Sequence, residues 1–251
     1  MRAIRYVTAH RGGEESFRCS PLYASLGERE PLCARLNNRQ GLSQVYNLFL
    51  DGRYEEFATL GPPARHSPED IVVFVHDDVE VIGNNVAQEL NRWADEGFAI
   101  LGLAGASKFV IEPPTLWHLM AERGARNGMS VFHIAWNDPV TGELKWDGDQ
   151  PRPTLFGPYG EVVILDGLFL GVVRDAVDRV GWRFDERFRF HHYDLASCLN
   201  AHALGLRMRT VFVPVIHRSV GLLNMEDPEF LKSQDVFLRT YASNGPVRVA
   251  I

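Results

Sequence analysis

Residues 71–83 read IVVFVHDDVEVIG, an apolar stretch that ends abruptly in His76, Asp77 and Asp78. A run of Val, Ile and Phe without polar alternation is typical of a strand that is buried on both faces of a sheet. In open α/β sheets, ligands bind outside the carboxyl ends of such strands. The stretch therefore predicts both an α/β fold and a binding site at its polar end.

The polar end carries the adjacent carboxylates Asp77 and Asp78, with Glu80 two residues further on. Neighbouring carboxylates repel each other and raise at least one pKa unless a cation offsets them. A divalent metal is therefore the simplest explanation for the cluster. The alternative is that the two aspartates cap the following turn as ordinary Asx residues.

Similar apolar runs occur on both sides of this stretch, and segments with helical spacing lie between them. The pattern predicts strands at 4–9, 71–76, 98–106, 162–173 and 210–217 and helices at 41–60, 83–97, 193–205 and 228–243. This alternation indicates a single α/β domain over residues 1–251, with a mixed, mostly parallel central sheet and helices on both faces.

Residues 107–160 differ from the rest because they are rich in Pro, Gly and Trp and show no sustained period. We expect an irregular insertion of long loops and short hairpins there. Such a segment can form a lid or an acceptor cleft, or it can simply cover a sheet edge, and the sequence leaves both possibilities open.

Composition excludes several classes of function. A net charge of −6 argues against a global basic field of the kind that drives non-specific binding to nucleic acids or membranes. No stretch approaches the roughly 20 apolar residues of a membrane span, so neither an anchor nor a signal peptide is expected. The three cysteines contain no CxxC pair, which argues against a disulfide framework or a thiolate zinc site. We therefore predict a cytoplasmic protein without an integral membrane segment.

A second polar cluster lies between residues 191 and 217. His191, His192 and Asp194 stand at the start of a predicted helix, and His217 ends the apolar run TVFVPVIH. Strand ends that carry Asp and His can converge on one metal, and this donor set suits Mn²⁺ or Mg²⁺ with positions left open for a diphosphate. Paired with the acidic cluster, His217 is a candidate ligand. His191 and His192 are better explained as structural residues beside Asp194 as the helix N-cap.

Three blocks of this chain together resemble the family 2-like glycosyltransferases, in particular the bacterial subgroup whose metal motif is HxD in place of DxD. The resemblance covers roughly residues 71–105 and 160–221, with a weaker echo at 33–51, and it rests on VFVHDDV, LDGLFLGVVRDAV and FDERFRFHHYDLASCLNAHALGLRMRTVFVPVIHRSVG. It implies a GT-A fold, the Rossmann-like fold of nucleotide-diphospho-sugar transferases. It also implies that a sugar moves from a nucleotide-sugar donor to an acceptor hydroxyl with the help of Mn²⁺ or Mg²⁺.

For the metal, the resemblance implies that Asp78 and His217 are ligands and that Asp77 lies near the ribose or the metal. His76 departs from the pattern because it occupies the position of the first acidic residue. For the chemistry, the resemblance implies that Asp194 is the general base of an inverting transfer. The Glu that usually precedes this base is replaced by Tyr193.

For the donor, the resemblance implies that Asp166 and Gly167 lie under the sugar, where Gly permits close approach. It places the nucleotide base against Thr8 and Ala9, with a further contact from Asn38. The segment after the first strand, VTAHRGGEESF, departs from the family signature. The acceptor could be a glycan, a lipid-linked glycan, a protein, a small molecule or a modified nucleobase.

Two other functions remain open at this stage. A non-catalytic nucleotide- or sugar-binding protein of the same fold is one, and the missing Glu at position 193 is compatible with it. A metal-dependent phosphohydrolase is the other, because an HD dipeptide with later His and Asp residues also describes HD-type enzymes. In those enzymes the HD pair lies on a helix, whereas His76 and Asp77 follow an apolar run typical of a strand.

Overall fold

The computed structural model describes residues 1–63, 65–128, 131–133, 135–137, 144–146, 151–154, 156–219, 224–242 and 245–249. Its strands in chain order are β1 (Ile4–Ala9), β2 (Leu32–Arg35), β3 (Ala58–Leu60), β4 (Ile71–Val75), β5 (Val79–Val81), β6 (Ile100–Gly102), β7 (Gly105–Ala106), β8 (Lys108–Phe109), β9 (Arg126–Asn127), β10 (Val131–His133), β11 (Ala135–Asn137), β12 (Leu144–Trp146), β13 (Arg152–Thr154), β14 (Glu161–Val162), β15 (Ile164–Leu165), β16 (Phe169–Val173), β17 (Met208–Thr210), β18 (Val215–His217) and β19 (Val247–Arg248). Its helices are α1 (Glu14–Arg18), α2 (Pro21–Leu26), α3 (Leu42–Leu50), α4 (Val86–Asp95), α5 (Trp117–Met120), α6 (Arg174–Arg179), α7 (Tyr193–Ala203) and α8 (Pro228–Tyr241), with a 3₁₀ turn at Tyr54–Glu56.

A large mixed sheet organises the fold, and its strand order over the described residues is β14-β17-β6-β16-β4-β1-β2-β3. The pairing pattern makes β1, β2, β4, β6 and β17 run in one direction, while β3, β14 and β16 run in the other. The predicted α/β class with a mixed sheet is confirmed.

Helices cover both faces of this sheet, as predicted. Val72 and Phe74 of β4 belong to one buried cluster, which also contains side chains of α3 and α7. Ile71, Val73 and Val75 belong to the opposite cluster, with side chains of α2 and α4. All five residues of β4 are buried. Because β4 is covered on both sides, its polar continuation is where this strand first reaches solvent.

Two predicted strands are each divided between sheets. The run 162–173 breaks at Asp166 and Gly167, so that β15 pairs with β7 in a small sheet while β16 pairs with β4 and β6. The run 210–217 breaks near Pro214, so that β17 belongs to the large sheet and β18 to a small sheet of order β13-β10-β18-β5. An apolar run indicates burial, but it does not show which neighbour a strand pairs with. These divisions create the site described below.

Other boundaries also shifted. The predicted helix at 41–60 ends at Leu50 and is followed by the 3₁₀ turn and β3, because Gly52 has a positive φ of 80° that terminates the helix. The predicted strand at 98–106 is divided into β6 and β7. Within the insertion at 107–160, the described part includes the antiparallel pair β11–β12, and β10 and β13 join β18. Among the described residues, no helix combines the length and apolar character that a bilayer crossing requires.

Candidate functional site

The polar end of β4 and the end of β18 lie side by side. β5 follows β4 after a short turn and pairs antiparallel with β18, with His217 opposite Val79. This register brings His217 next to Asp78, the residue before β5. One ligand atom each from His76, Asp78 and His217 lies within 4.8 Å of the others, and all three side chains are half-buried. The structure therefore brings the two predicted ligands together and adds His76 to them.

The surroundings of Asp78 keep its carboxylate charged. Its Oδ2 lies 3.4 Å from Nε2 of His217. Its Oδ1 is buried and accepts no hydrogen bond from any described residue. Burial alone would raise the pKa of Asp78, but the hydrogen bond and charge of His217, together with the neighbouring His76, outweigh burial and lower it. The carboxylate is thus charged at neutral pH, with one oxygen available to a cation.

His76 is held in a neutral form beside it. Burial lowers the pKa of the imidazole, and the nearby His217 lowers it further, against the opposing charges of Asp78 and Asp166. Its Nε2 lies 3.0 Å from the hydroxyl of Tyr193. A neutral imidazole has a nitrogen lone pair that can bind a metal. His76 therefore fits a ligand role that sequence reasoning had left to Asp78 and His217.

Asp77 contacts His10, a residue that sequence reasoning missed. Its Oδ2 lies 2.5 Å from Nδ1 of His10, and Nε2 of His10 lies 2.9 Å from Oγ of Ser16. His10 directly follows β1, which is parallel to β4 in the sheet, so the ends of the two strands are neighbours. The adjacency of these strand ends was the available signal.

A cleft of about 840 Å³ opens beside this cluster. Of the predicted donor contacts, Ala9, Asn38 and Asp77 line it, together with His76 and Asp78. The other predicted site residues do not line it; these are Thr8, Asp166, Gly167, Asp194 and His217. Thr8 is fully buried in β1. The cleft therefore extends from His76 and Asp78 to the ends of β1 and β2, where the nucleotide was predicted.

Cationic side chains also line the cleft. Arg11, Arg39, Arg189 and Lys232 are exposed there, and none of them forms an ion pair with a carboxylate in the part of the chain that the structure describes. The carboxylates Asp77, Asp78, Asp227 and Glu229 line the same cleft, so charges of both signs face it. The unpaired cations can attract an anion, and the carboxylates can attract a cation.

The turn at Asp166 and Gly167 is hydrogen-bonded to the start of α7. The amide of Gly167 donates to Oδ2 of Asp194 at 2.9 Å, and the hydroxyl of Tyr193 donates to the carbonyl of Gly167 at 2.7 Å. A Cβ at position 167 would lie 2.3 Å from that hydroxyl, so only glycine fits. Asp166 accepts from Nε1 of Trp117 at 2.7 Å. The structure thus brings three predicted site residues together here.

Asp194 has an unusual protonation equilibrium. Burial and the charge of Asp166 raise its pKa to about 7, although backbone amides of Leu195 and Gly167 partly oppose the shift. The Leu195 amide donates to Oδ1 at 2.8 Å, so each carboxylate oxygen accepts one backbone hydrogen bond. A carboxyl group with this pKa can exchange a proton near neutral pH.

The two adjacent histidines have separate surroundings. His192 is buried, and its ring nitrogens contact Oγ1 of Thr115 at 2.6 Å and Oγ of Ser233 at 2.8 Å. Burial lowers its pKa to about 4. The structural role predicted for His192 is therefore confirmed. The predicted N-cap was wrong, because His192, with a positive φ of 64°, precedes α7 and Asp194 lies within its first turn. His191 lines the cleft.

Comparison with known proteins adds little to this geometry. No protein-family model matches the chain, and no curated protein matches it. The crystal structure of A197 from STIV aligns with 91% of this chain and 100% of its own length, at 10% sequence identity and a TM-score of 0.42. A likeness at that TM-score is too low to support a conclusion about fold or function.

Proposed function

We propose that this protein is a metal-dependent glycosyltransferase of the GT-A type, which moves a sugar from a nucleotide-diphosphate donor to an acceptor hydroxyl. The observation that carries the proposal is the buried Oδ1 of Asp78, which has no hydrogen-bond partner among the described residues and lies near His76 and His217, beside a cleft lined by charges of both signs. A buried carboxylate oxygen without a hydrogen bond is costly unless a ligand satisfies it.

The donor atoms of the cluster favour Mn²⁺ over Mg²⁺. Mg²⁺ prefers oxygen ligands in an octahedral arrangement, whereas imidazole nitrogens bind transition metals more readily. Two of the three candidate ligands, His76 and His217, offer imidazole nitrogen. When bound, the metal would stabilise the negative charge of the departing nucleoside diphosphate. Two histidines and one carboxylate are also the ligands of non-haem Fe²⁺ sites, so Fe²⁺ belongs among the metals tested.

The cleft supports binding of the donor. Ala9 and Asn38 lie at its β1 and β2 end, where they would contact the nucleotide. Asp77 is held in place by His10 and would lie near the ribose. Thr8, whose side chain is buried, would act only by shaping the end of β1. The unpaired cations of the cleft would attract the diphosphate.

Asp194 is proposed as the general base. Its pKa of about 7 matches the pH at which a base must accept a proton from the acceptor hydroxyl and release it again. Asp166 and Gly167 are proposed to lie under the donor sugar, close to this base, because the Gly167 amide donates to Oδ2 of Asp194.

The proposal is tested by thermal denaturation with nucleoside diphosphates and nucleotide sugars, each with and without Mn²⁺, on wild type and Asp78→Asn. A donor that binds the native state raises the melting temperature by mass action. We expect an Mn²⁺-dependent rise with one nucleotide that is lost in the variant. A rise that is equal in both proteins, or absent at saturating concentrations, contradicts the proposal.

A second assay separates the alternatives. Incubation with the stabilising nucleotide sugar and Mn²⁺ should release the nucleoside diphosphate through transfer or slow hydrolysis. Donor binding without any release over many hours would favour a non-catalytic binding protein. Phosphate release from phosphate esters would favour the phosphohydrolase, although His76 and Asp77 follow β4 and do not lie on a helix.

A further inference from the structure

Tyr193 links two parts of the site through a single proton. Its phenol has one hydrogen to donate, and it donates this hydrogen to the carbonyl of Gly167 at 2.7 Å. The same oxygen lies 3.0 Å from Nε2 of His76. With its hydrogen already used, the phenol can only accept from His76. Nε2 of His76 must therefore carry the ring hydrogen.

We propose that Tyr193 is a positioning residue that holds His76 in its Nε2–H tautomer and so leaves Nδ1 as the metal-binding nitrogen. The inference rests on the metal site of the proposed function. A neutral imidazole with hydrogen on Nε2 has its only lone pair on Nδ1. In metal sites, the partner of the second ring nitrogen fixes the tautomer and the orientation of the ring.

The position of Tyr193 is well suited to this role. The residue is buried in the first turn of α7, and its backbone carbonyl accepts from the hydroxyl of Ser197. Its ring lies against Phe184, with ring centroids 6.2 Å apart. A side chain held by burial and packing on a helix keeps its hydroxyl in one place.

Gly167 completes the arrangement. A Cβ there would lie 2.3 Å from the Tyr193 hydroxyl, so the hydrogen bond that occupies the phenol proton needs glycine at this position. The ring of His76 also lies 6.3 Å from the ring of Phe190, measured between centroids, with an interplanar angle of 23°. His76 is thus bordered by a hydrogen-bonding partner and an aromatic ring, which together limit its rotation.

The tautomer can be measured directly by two-bond ¹H–¹⁵N correlation spectroscopy on the metal-free protein at pH 8, with the His76 signals assigned by His76→Gln. We expect the Nε2–H pattern for His76 in wild type and a mixture of tautomers in Tyr193→Phe. The matched control is Tyr241→Phe, which removes another hydrogen-bonded phenol hydroxyl, 3.0 Å from Oδ1 of Asn200 and outside the cleft. An Nδ1–H pattern in wild type, or an unchanged pattern in Tyr193→Phe, overturns the inference.

Calorimetric titration with Mn²⁺ alone provides the second measurement. Loss of an outer-shell partner typically weakens metal binding by about 10- to 100-fold, which is the loss expected for Tyr193→Phe but not for Tyr241→Phe. Equal Mn²⁺ affinity in Tyr193→Phe and wild type would overturn the role of Tyr193. If wild type binds no Mn²⁺ while the tautomer still depends on Tyr193, the proposed metal site fails and the effect of Tyr193 on His76 stands.

Discussion

Two aspartates, one after the end of β4 and one at the start of α7, have opposite pKa shifts and different hydrogen-bond partners. Asp78 and Asp194 are both half-buried. Asp78 faces two histidines, which lower its pKa, and one of its oxygens has no described partner. Asp194 faces the charge of Asp166, which together with burial raises its pKa to about 7, and backbone amides contact both of its oxygens.

The difference assigns the two residues to different chemistry. A carboxylate that stays charged and has a free oxygen suits a cation, whereas one that titrates near neutral pH suits proton transfer. Pairs of acids whose surroundings separate their pKa values are a known signature of acid–base catalysis. The predictions below test this division of roles.

The largest effect is expected for Asp194→Asn. Because a general base contributes about 10²- to 10⁴-fold to a rate, transfer should fall by that factor while donor affinity with Mn²⁺ stays within about twofold. Single-turnover transfer and calorimetry measure the two quantities. The control is Asp95→Asn, an exposed carboxylate on α4 that pairs with Arg2. Normal turnover in Asp194→Asn would remove Asp194 from the mechanism.

Gly167→Ala should destabilise the protein, because the turn at Gly167 packs directly against the start of α7. Its new Cβ would lie 2.3 Å from the Tyr193 hydroxyl and 2.9 Å from Cβ of Asp194, so one of these elements must move. Overpacking of this kind costs about 1–3 kcal/mol of unfolding free energy, which denaturant unfolding measures. Gly13→Ala is the matched control, because a Cβ there has no neighbour closer than 3.8 Å. An equal cost in both variants would show that the close approach at Gly167 is not real.

The raised pKa of Asp194 predicts a pH dependence of stability. Between about pH 4 and pH 7 the folded state holds a proton on Asp194 that the unfolded state has lost. This residue therefore contributes stability at low pH that is lost as the pH rises through 7. The unfolding free energy of wild type relative to Asp194→Asn should fall by about 4 kcal/mol from pH 4 to pH 8. A constant difference over that range would mean that Asp194 titrates normally.

The smallest effect concerns the cationic lining of the cleft. Arg189→Ala and Lys232→Ala should each weaken donor binding by about two- to fivefold, because exposed charges contribute only about 0.2–1 kcal/mol. The loss should shrink at high salt, where exposed charges are screened. Arg179→Ala, an exposed arginine on α6, is the control. A loss that does not depend on salt would show that these side chains act through packing instead of charge.

Much of the fold could be predicted from sequence, because buried strands and helix faces require apolar residues in continuous runs or at helical spacing. The run at 71–76 predicted a buried strand and the polar site at its end, and the spacing around Leu195 and Leu199 predicted α7. The approach of Asp78 and His217 was also expected, because each lies at the polar end of an apolar run, although β4 and β18 belong to different sheets.

The remaining parts of the site depend on long-range register, which local pattern does not encode. Nothing in the sequence indicates that β18 leaves the large sheet to pair with β5, although this register places His217 opposite Val79. The contact between His76 and Tyr193 spans 117 positions. In the sequence, His76 and Tyr193 were two separate departures from the pattern of the family that the chain resembles. Their hydrogen bond offers one physical explanation for both residues.

The central claim is that Asp78 binds a metal with the help of His76 and His217, and calorimetric titration of the purified protein with Mn²⁺, Mg²⁺ and Fe²⁺ tests it most directly. We predict saturable binding of Mn²⁺ to wild type at one site, weaker binding of Mg²⁺, and a loss of at least about 100-fold in Asp78→Asn, since a direct ligand should matter more than an outer-shell partner. Equal Mn²⁺ affinity in wild type and Asp78→Asn, or no binding by wild type, would contradict the account.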